Sequence, residues 1–249
     1  MSKSKSPEFN GYFDPRYTFD SFVVAPDNES SVIAGKLVVD QPGEGFNPLF
    51  IYGPEGTGKS HLMHAIANGL NAKGHMSIIC KSTESFVSGF ITSIRNGPTQ
   101  AFRRQYQNTD ALIFDDLQFV AGRMNIQQEL LYIFNALHDL KKQIVLVSTC
   151  PPDDCAKWSE SMRDHFTSGL ITEIKIPSLE TRLLILAKKA EAYEFSLDDD
   201  VAHLLASRFT TNIRDLEGAM VRLTAYATLM GKTINLDLAK HVLKDILRE

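Results

Sequence analysis

The residues best suited to chemistry lie in the stretch GPEGTGKS at 53–60. Gly53, Gly58, Lys59 and Ser60 occupy the four fixed positions of a phosphate-binding loop, between an apolar run and a helical pattern. Glycines let backbone N–H groups turn toward phosphate oxygens, and the N-terminus of the following helix adds positive potential. The lysine would reach the terminal phosphates, and the serine hydroxyl would ligate Mg²⁺. The stretch therefore predicts a nucleotide site.

A second candidate group is the acidic pair that ends the stretch ALIFDD at 111–116. Asp115 stands where a carboxylate would help to hold Mg²⁺, and Asp116 where a base could orient an attacking water. Two aspartates after an apolar strand are a weak signal alone, but a strong one about 55 residues after a phosphate loop. His61 and His64 follow the loop three positions apart. Because no third ligand suggests itself, the sequence favours helix-face histidines over a metal pair.

The stretches that must position these residues alternate between strand-like and helix-like patterns, which is typical of a parallel sheet covered by helices. The predicted strands are 48–52, 76–81, 110–116, 143–149 and 170–176. The predicted helices of this region are 59–70, 84–96 and 125–142. The second helix ends at Gly97-Pro98, and the third carries apolar residues at spacings of three and four.

After Pro177 the strands give way to four amphipathic helical patterns. Ser178 and Ser196 are the predicted N-caps of the first two, and the acidic run 198–200 suits the first turn of its helix through the helix dipole. The predicted organisation is a disordered tail at 1–10, a nucleotide-binding base at 11–177 and a helical lid at 178–249.

Composition narrows the class of protein. A net charge of −4 and a pI near 6.0 argue against the basic surface of a dedicated duplex-DNA-binding protein. Cys80, Cys150 and Cys155 form no CxxC pair and are odd in number, which favours reduced thiols in a cytosolic protein. No apolar signal segment follows the basic start, and no run approaches the roughly 18 apolar residues of a membrane span. We expect a cytoplasmic protein without a membrane span.

Several motifs together resemble a known family, the AAA+ domain of the bacterial replication initiator DnaA. The resemblance runs from about residue 13 to residue 247. The motifs that carry it are the phosphate loop, YTFDSFVV, NPLFIYG, GKSHLMHAIA, LIFDDLQFVAG, SGLITEI, LETR and NIRDLEGA. The resemblance implies an α/β fold of the AAA+ P-loop NTPase type, with a parallel five-stranded sheet, helices on both faces and a C-terminal helical lid.

The family's nucleotide site can be placed on matching residues. The resemblance implies that 13–24 packs beside the adenine, and that ATP or ADP and Mg²⁺ are the cofactors. The implied cofactor-binding residues are Gly53, Gly56, Thr57, Gly58, Lys59, Ser60, His61 and Arg214. Ser60 and Asp115 would hold the metal, and Asp116, Thr149 and Arg214 would serve catalysis. In this assignment Thr149 is at the sensor-1 position and Arg214 at the sensor-2 position.

This sequence departs from the family pattern at four positions. Thr149 replaces an aspartate usual at sensor 1, a mild change because a hydroxyl can also orient water. His165 stands where the family has the arginine that reaches a neighbouring subunit's γ-phosphate, and histidine is shorter and mostly neutral at pH 7. Arg163 is two residues away and would point differently. Cys150 replaces a basic residue, and Asn125 replaces one of two basic residues implied for DNA.

The resemblance also implies contact with single-stranded DNA. Ile91, in an inserted helical pair at 84–106, matches an apolar family position that touches the strand, and Arg123 matches a phosphate contact. The loss of a basic residue at Asn125 should weaken the affinity and flatten its salt dependence. Arg95, Arg103 and Arg104 suit either a solvated helix face or direct DNA contact.

Three functional hypotheses follow. The first is an ATP-switched, slowly hydrolysing initiator module that assembles with copies of itself and engages single-stranded origin DNA. The second is a regulatory relative that lacks the duplex-binding module and acts on the full-length initiator. The third is an ATPase similar to helicase loaders, with replicative helicase loading factors as partners. The distinctive motifs favour the initiator, and no phosphoryl-acceptor site supports a metabolic kinase.

Overall fold

The computed structural model describes residues 13–154, 157–193 and 195–247. The predicted tail at 1–10 and Cys155 therefore lie outside the described residues. The chain divides into two compact units. Among the described residues, the first unit contains 13–22, 28–54, 59–154 and 157–174. The second contains 23–27, 55–58, 175–193 and 195–247.

The first unit alternates strands and helices, as the sequence predicts. In chain order its elements are α1 (Glu29–Asp40), β1 (Leu49–Tyr52), α2 (Lys59–Ala72), β2 (Ile78–Ser82), α3 (Thr83–Asn96), α4 (Gln100–Gln107), β3 (Ala111–Asp115), a one-turn 3₁₀ helix (Leu117–Val120), α5 (Met124–Asp139), β4 (Gln143–Ser148), α6 (Glu160–Thr167) and β5 (Leu170–Glu173). The α5 helix ends three residues earlier than predicted, and β5 also ends three residues early. The β5 strand stops because its neighbour β1 turns into the phosphate loop after Tyr52.

The five strands form one parallel sheet in the order β2-β3-β4-β1-β5. In β1, Leu49 pairs with Val145 of β4 on one side and with Leu170 of β5 on the other. Because all strands run the same way, β1, β3 and β4 present their carboxyl ends at one edge of the sheet, where α/β proteins bind ligands. The predicted five-stranded parallel sheet is confirmed.

Side chains that alternate along the strands build an apolar core on each face of this sheet. Phe50 and Phe114 face one core, which they share with Phe134 of α5. Leu49 and Ile113 face the other core, against α1 and α2. The near-continuous apolar strands of the sequence are explained by this burial on both faces.

The described part of the second unit contains the helices α7 (Leu179–Ala192), α8 (Asp199–Arg208), α9 (Ile213–Met230), α10 (Leu236–Val242) and α11 (Lys244–Leu247). Its apolar core includes Leu186, Leu205 and Leu223. The predicted N-cap at Ser178 is confirmed, because its Oγ accepts a hydrogen bond from the Thr181 N–H at 3.2 Å.

The predicted N-cap at Ser196 is wrong. The α8 helix begins at Asp199, and Asp198 takes the N-cap position in extended backbone geometry. Ser196 lies two positions before the N-cap, so its hydroxyl does not cap the helix. Asp199 and Asp200 lie in the first turn, where their charges suit the helix dipole as expected.

Candidate functional site

The phosphate loop at 53–60 joins β1 to α2 through backbone conformations that only glycine adopts readily. Gly56 has a φ of 71° and Gly58 a φ of 101°, both in the left-handed region. The Lys59 side chain is buried, and its Nζ donates a hydrogen bond to the Pro54 carbonyl oxygen at 2.6 Å. The lysine ammonium therefore contacts a backbone carbonyl five residues earlier in the same loop.

The two residues predicted to hold a metal lie in direct contact. The Ser60 hydroxyl donates a hydrogen bond to the Asp115 carboxylate at 2.8 Å. Burial raises the pKa of Asp115, and the Ser60 bond partly offsets that rise. The Asp115 backbone is fixed from the other side, because the Thr83 hydroxyl donates to its carbonyl oxygen at 2.7 Å. A hydroxyl and a carboxylate in contact are a donor set that Mg²⁺ accepts, so these residues fit the ion.

Asp116 lies directly beyond this pair and has an unusual backbone. Its φ of 55° and ψ of 45° are left-handed, a conformation that costs free energy in a residue other than glycine. Its N–H donates to the Asp115 carboxylate at 2.8 Å. Strain of this kind is common where a side chain must face a ligand.

A residue that the sequence analysis missed connects Asp116 to Thr149. The Gln118 Nε2 donates to the Asp116 carboxylate at 3.0 Å, and its Oε1 accepts from the Thr149 backbone N–H at 3.1 Å. The carboxyl ends of the adjacent strands β3 and β4 are thereby joined by one side chain. The only sequence signal was a polar residue two positions after the acidic pair, inside the motif DDLQF.

His61 holds the segment 13–22 against α2. Its Nε2 lies 3.0 Å from the Ser21 hydroxyl, and its ring centroid lies 4.7 Å from that of Tyr17. Asn68, on the same helix, donates a hydrogen bond to the Tyr17 carbonyl oxygen at 2.8 Å. The segment implied to lie beside the adenine is therefore fixed to the helix that follows the phosphate loop.

Within the second unit, the phosphate-loop residue Gly56 packs against the start of α9. Its carbonyl oxygen accepts a hydrogen bond from the Ile213 N–H at 2.8 Å. A Cβ at Gly56 would lie 1.9 Å from the Asn212 Oδ1, so no larger residue fits without a shift. Asn212 caps α9 by accepting from the Arg214 N–H at 2.9 Å, and the Arg214 side chain is exposed in the first turn.

His165 lies in an apolar, partly buried environment that disfavours a positive charge on its ring. Its ring stacks on Phe134, with centroids 5.2 Å apart and an interplanar angle of 11°. Its Nε2 is buried and has no hydrogen-bond partner in the described part of the chain. Burial, with a smaller contribution from neighbouring His138, lowers the pKa of His165 to about 4. The imidazole is therefore neutral at pH 7.

The two residues predicted to contact DNA lie on different elements of the first unit. Ile91 lies on α3 and remains 41% exposed. Arg123 is the N-cap residue of α5, and its guanidinium lies 4.3 Å from the centroid of the Phe119 ring. Both side chains are exposed at the surface.

Arg103 has a structural partner that the sequence did not predict. Its Nε and Nη2 each donate to the Glu129 carboxylate at 2.7 Å, as a bidentate pair. Its guanidinium also lies 4.3 Å from the Tyr132 ring centroid. Arg95 and Arg104 are exposed and remain candidates for the solvated face or for DNA contact.

The described residues contain no group of three or more His, Cys, Asp and Glu side chains placed to hold a metal ion. None of their helices is both long enough and apolar enough to cross a membrane.

The fold and the site together define a class. A parallel five-stranded sheet, a phosphate loop after β1 and an acidic pair at the end of β3 are the features of a P-loop NTPase of the AAA+ type. The Holliday junction branch migration motor RuvB of Thermotoga maritima, 18% identical over 92% of this chain with a TM-score of 0.66, shares this fold. The family model for the bacterial DnaA ATPase domain matches residues 13–173. The chain belongs to that family.

Solved structures of DnaA proteins are similar over most of the chain. Domain III of the Thermotoga maritima replication initiation protein DnaA is 34% identical with a TM-score of 0.90, and the match covers 96% of this chain and all of that one. AMPPCP-bound DnaA from Aquifex aeolicus is 31% identical with a TM-score of 0.80, over 86% of this chain and 66% of that one. A replication initiator DnaA bound to AMPPCP and single-stranded DNA is 26% identical with a TM-score of 0.78, over 95% and 82%.

Proposed function

We propose that this chain is a DnaA-type replication initiator module that binds ATP, assembles with copies of itself in the ATP state and engages single-stranded DNA. The observation that carries the proposal is the contact between the Ser60 hydroxyl and the Asp115 carboxylate, directly after Lys59 in the phosphate loop. The contact unites the two sequence motifs on which a nucleotide site depends. The related DnaA structures that hold AMPPCP support the same assignment.

In this proposal the nucleotide-site residues have distinct roles. Lys59 would exchange its bond to the Pro54 carbonyl for the terminal phosphates, since an ammonium gains more from a phosphate than from a neutral oxygen. Ser60 and Asp115 would hold Mg²⁺, which neutralises charge on the β- and γ-phosphates. Arg214 would contribute a positive charge from the first turn of α9.

Hydrolysis is proposed to be a slow reset. Asp116 would orient a water molecule and Thr149 would assist through its hydroxyl. A neutral, stacked His165 supplies no permanent positive charge to a neighbouring copy. Arginine fingers raise the rates of such reactions by about 10³ to 10⁵, so we expect assembly to stimulate hydrolysis only weakly.

The proposed DNA contacts are Ile91 and Arg123. An exposed isoleucine can pack against an unstacked base or sugar, and an exposed arginine can contact a phosphate. The DnaA structure bound to AMPPCP and single-stranded DNA supports this assignment. Because few basic side chains are involved, the affinity should depend only moderately on salt.

Fluorescence anisotropy of a labelled single-stranded oligonucleotide, titrated with the protein in ATP and then in ADP, tests the proposal. We expect binding in ATP that weakens in ADP and is lost in Lys59→Ala. The matched control is Lys73→Ala, which removes an exposed lysine just past the end of α2. Arg123→Ala should weaken DNA binding without changing ATP affinity.

Two outcomes would contradict the proposal in different ways. A protein that binds no ATP would refute the nucleotide site itself. A protein that binds ATP normally but no single strand in either state would refute the initiator module, and would favour the regulatory relative that acts on a full-length initiator.

A further inference from the structure

The feature that the proposed function leaves unexplained is the side chain of Gln118. It lies on the one-turn 3₁₀ helix after β3 and bridges to the end of β4. One end of its amide donates to the Asp116 carboxylate at 3.0 Å, and the other accepts from the Thr149 N–H at 3.1 Å. Both ends of the amide are therefore used.

The two neighbours determine how this amide is oriented. A carboxylate only accepts hydrogen bonds and a backbone N–H only donates, so the Nε2 must face Asp116 and the Oε1 must face Thr149. Among side chains of this length, only glutamine carries a donor and an acceptor on one planar group. A glutamate would place a second carboxylate against Asp116, and a leucine would offer neither bond.

The backbone of Asp116 makes this side-chain contact consequential. Its left-handed conformation turns the residue out of the strand, and its N–H is already fixed by the Asp115 carboxylate at 2.8 Å. The Gln118 bond is a second restraint, applied to the carboxylate itself. A group restrained at both ends loses little entropy when it must hold a water in one position.

We infer that Gln118 is a positioning residue, which fixes the Asp116 carboxylate relative to Thr149 and so sets the rate of ATP hydrolysis without contributing to nucleotide affinity. This inference rests on the proposed function, because it assigns water orientation to Asp116 and Thr149. The residue acts through its neighbours. Its two bonds join the ends of two strands that are adjacent in the sheet. Gln118 and Thr149 are nevertheless 31 residues apart in the chain.

The test compares Gln118→Glu and Gln118→Leu with the wild-type protein and with Gln128→Leu, which changes an exposed glutamine on α5. Three quantities are measured: the affinity for ATP, the single-turnover rate of hydrolysis, and hydrogen exchange of the Thr149 amide by NMR without nucleotide. Both Gln118 variants should bind ATP within about twofold of wild type and hydrolyse it at least about tenfold more slowly. Gln128→Leu should match the wild type throughout.

The NMR measurement separates positioning from a general loss of structure. The Thr149 amide should exchange faster in Gln118→Leu, which removes its acceptor, and remain protected in Gln118→Glu, which keeps one. Unchanged hydrolysis in both variants, or unchanged Thr149 exchange in Gln118→Leu, would overturn the inference. Failure of the wild type to bind ATP would instead refute the proposed function. The exchange of the Thr149 amide, measured without nucleotide, would still test whether Gln118 holds that amide.

Discussion

At the scale of single residues, His165 shows how its surroundings decide what a side chain can do. The position is implied to carry a cation for a neighbouring copy, and histidine could supply one if it were protonated. The ring is instead stacked on Phe134, and burial lowers its pKa to about 4. The residue is therefore part of the apolar packing between α5 and α6.

This burial predicts a pH dependence of stability. The unfolded chain binds a proton at His165 near pH 6.5, whereas the folded chain does so only near pH 4. Between these values the unfolded state binds more protons, so the free energy of unfolding falls as pH falls, by about 3 kcal/mol at pH 4. Urea unfolding between pH 4.5 and 7.5 would measure this.

Replacing the titrating ring provides the control. His165→Leu should flatten the slope of stability against pH between about 4 and 6.5, while His138→Leu, at an exposed neighbour, should leave most of it. A His165→Leu variant that retained the full slope would show that other groups cause it.

At the scale of elements, the ion pair between Arg103 and Glu129 connects α4 to α5. The Arg103 guanidinium makes two bonds to Glu129, which is 5% exposed, and lies over the Tyr132 ring. A buried carboxylate without its partner is costly, so the pair fixes the two helices together. Arg103 therefore has a structural role in holding α4 against α5. The sequence alone did not distinguish a solvated helix face from DNA contact for this residue.

We expect Arg103→Ala to lower the free energy of unfolding by about 2 kcal/mol, because it leaves Glu129 buried and unpaired while Arg103 itself is partly exposed. Arg103→Lys should recover only part of this, since an ammonium cannot make the bidentate pair. Chemical denaturation would measure both, with Arg104→Ala as the control on the same helix. Equal stability of Arg103→Ala and Arg104→Ala would contradict the role of the pair.

A buried glutamine organises the loops near Arg123 in a similar way. The Gln127 Nε2 donates to the carbonyl oxygens of Val120 and Lys157, at 3.1 and 2.9 Å, and its Oε1 accepts from the Ser159 N–H at 2.9 Å. The two carbonyl oxygens also accept backbone hydrogen bonds, from the Arg123 and Gly122 N–H groups, so this one side chain adds a second bond to each and pairs the Ser159 N–H as well. The backbone that carries Arg123 is thus held in one position before any ligand arrives.

At the scale of the whole molecule, the two units have separate apolar cores. The sheet of the first unit is covered on both faces, and the helices of the second unit enclose their own cluster around Leu205. Units with separate cores can lose stability separately.

Leu205→Ala should therefore destabilise the second unit by about 2 to 5 kcal/mol, because the leucine is fully buried. Hydrogen exchange followed by mass spectrometry should show faster exchange in α7 to α10 and little change in the strands. Leu229→Ala, at a position 85% exposed, is the matched control. Equally accelerated exchange in the strands would show that the units unfold together.

The sequence by itself determined the features that depend on short stretches of chain. The phosphate loop at 53–60 and the cap at Ser178 each depend on residues within about eight positions, where backbone geometry and side-chain type are coupled directly. The central strands β1, β3 and β4 were also predictable, because strands buried on both faces must be apolar nearly throughout. The edge strands β2 and β5 are less buried, but they alternate with helical patterns in the same way.

Only the tertiary structure decided which distant residues meet. Gln118 bonds to Thr149, Arg103 to Glu129, and His165 stacks on Phe134, and each contact joins residues more than 25 positions apart in the chain. No local pattern marks such pairs, because sheet order and helix packing bring them together. The same packing displaces water around His165, so its charge state follows from burial and not from residue type.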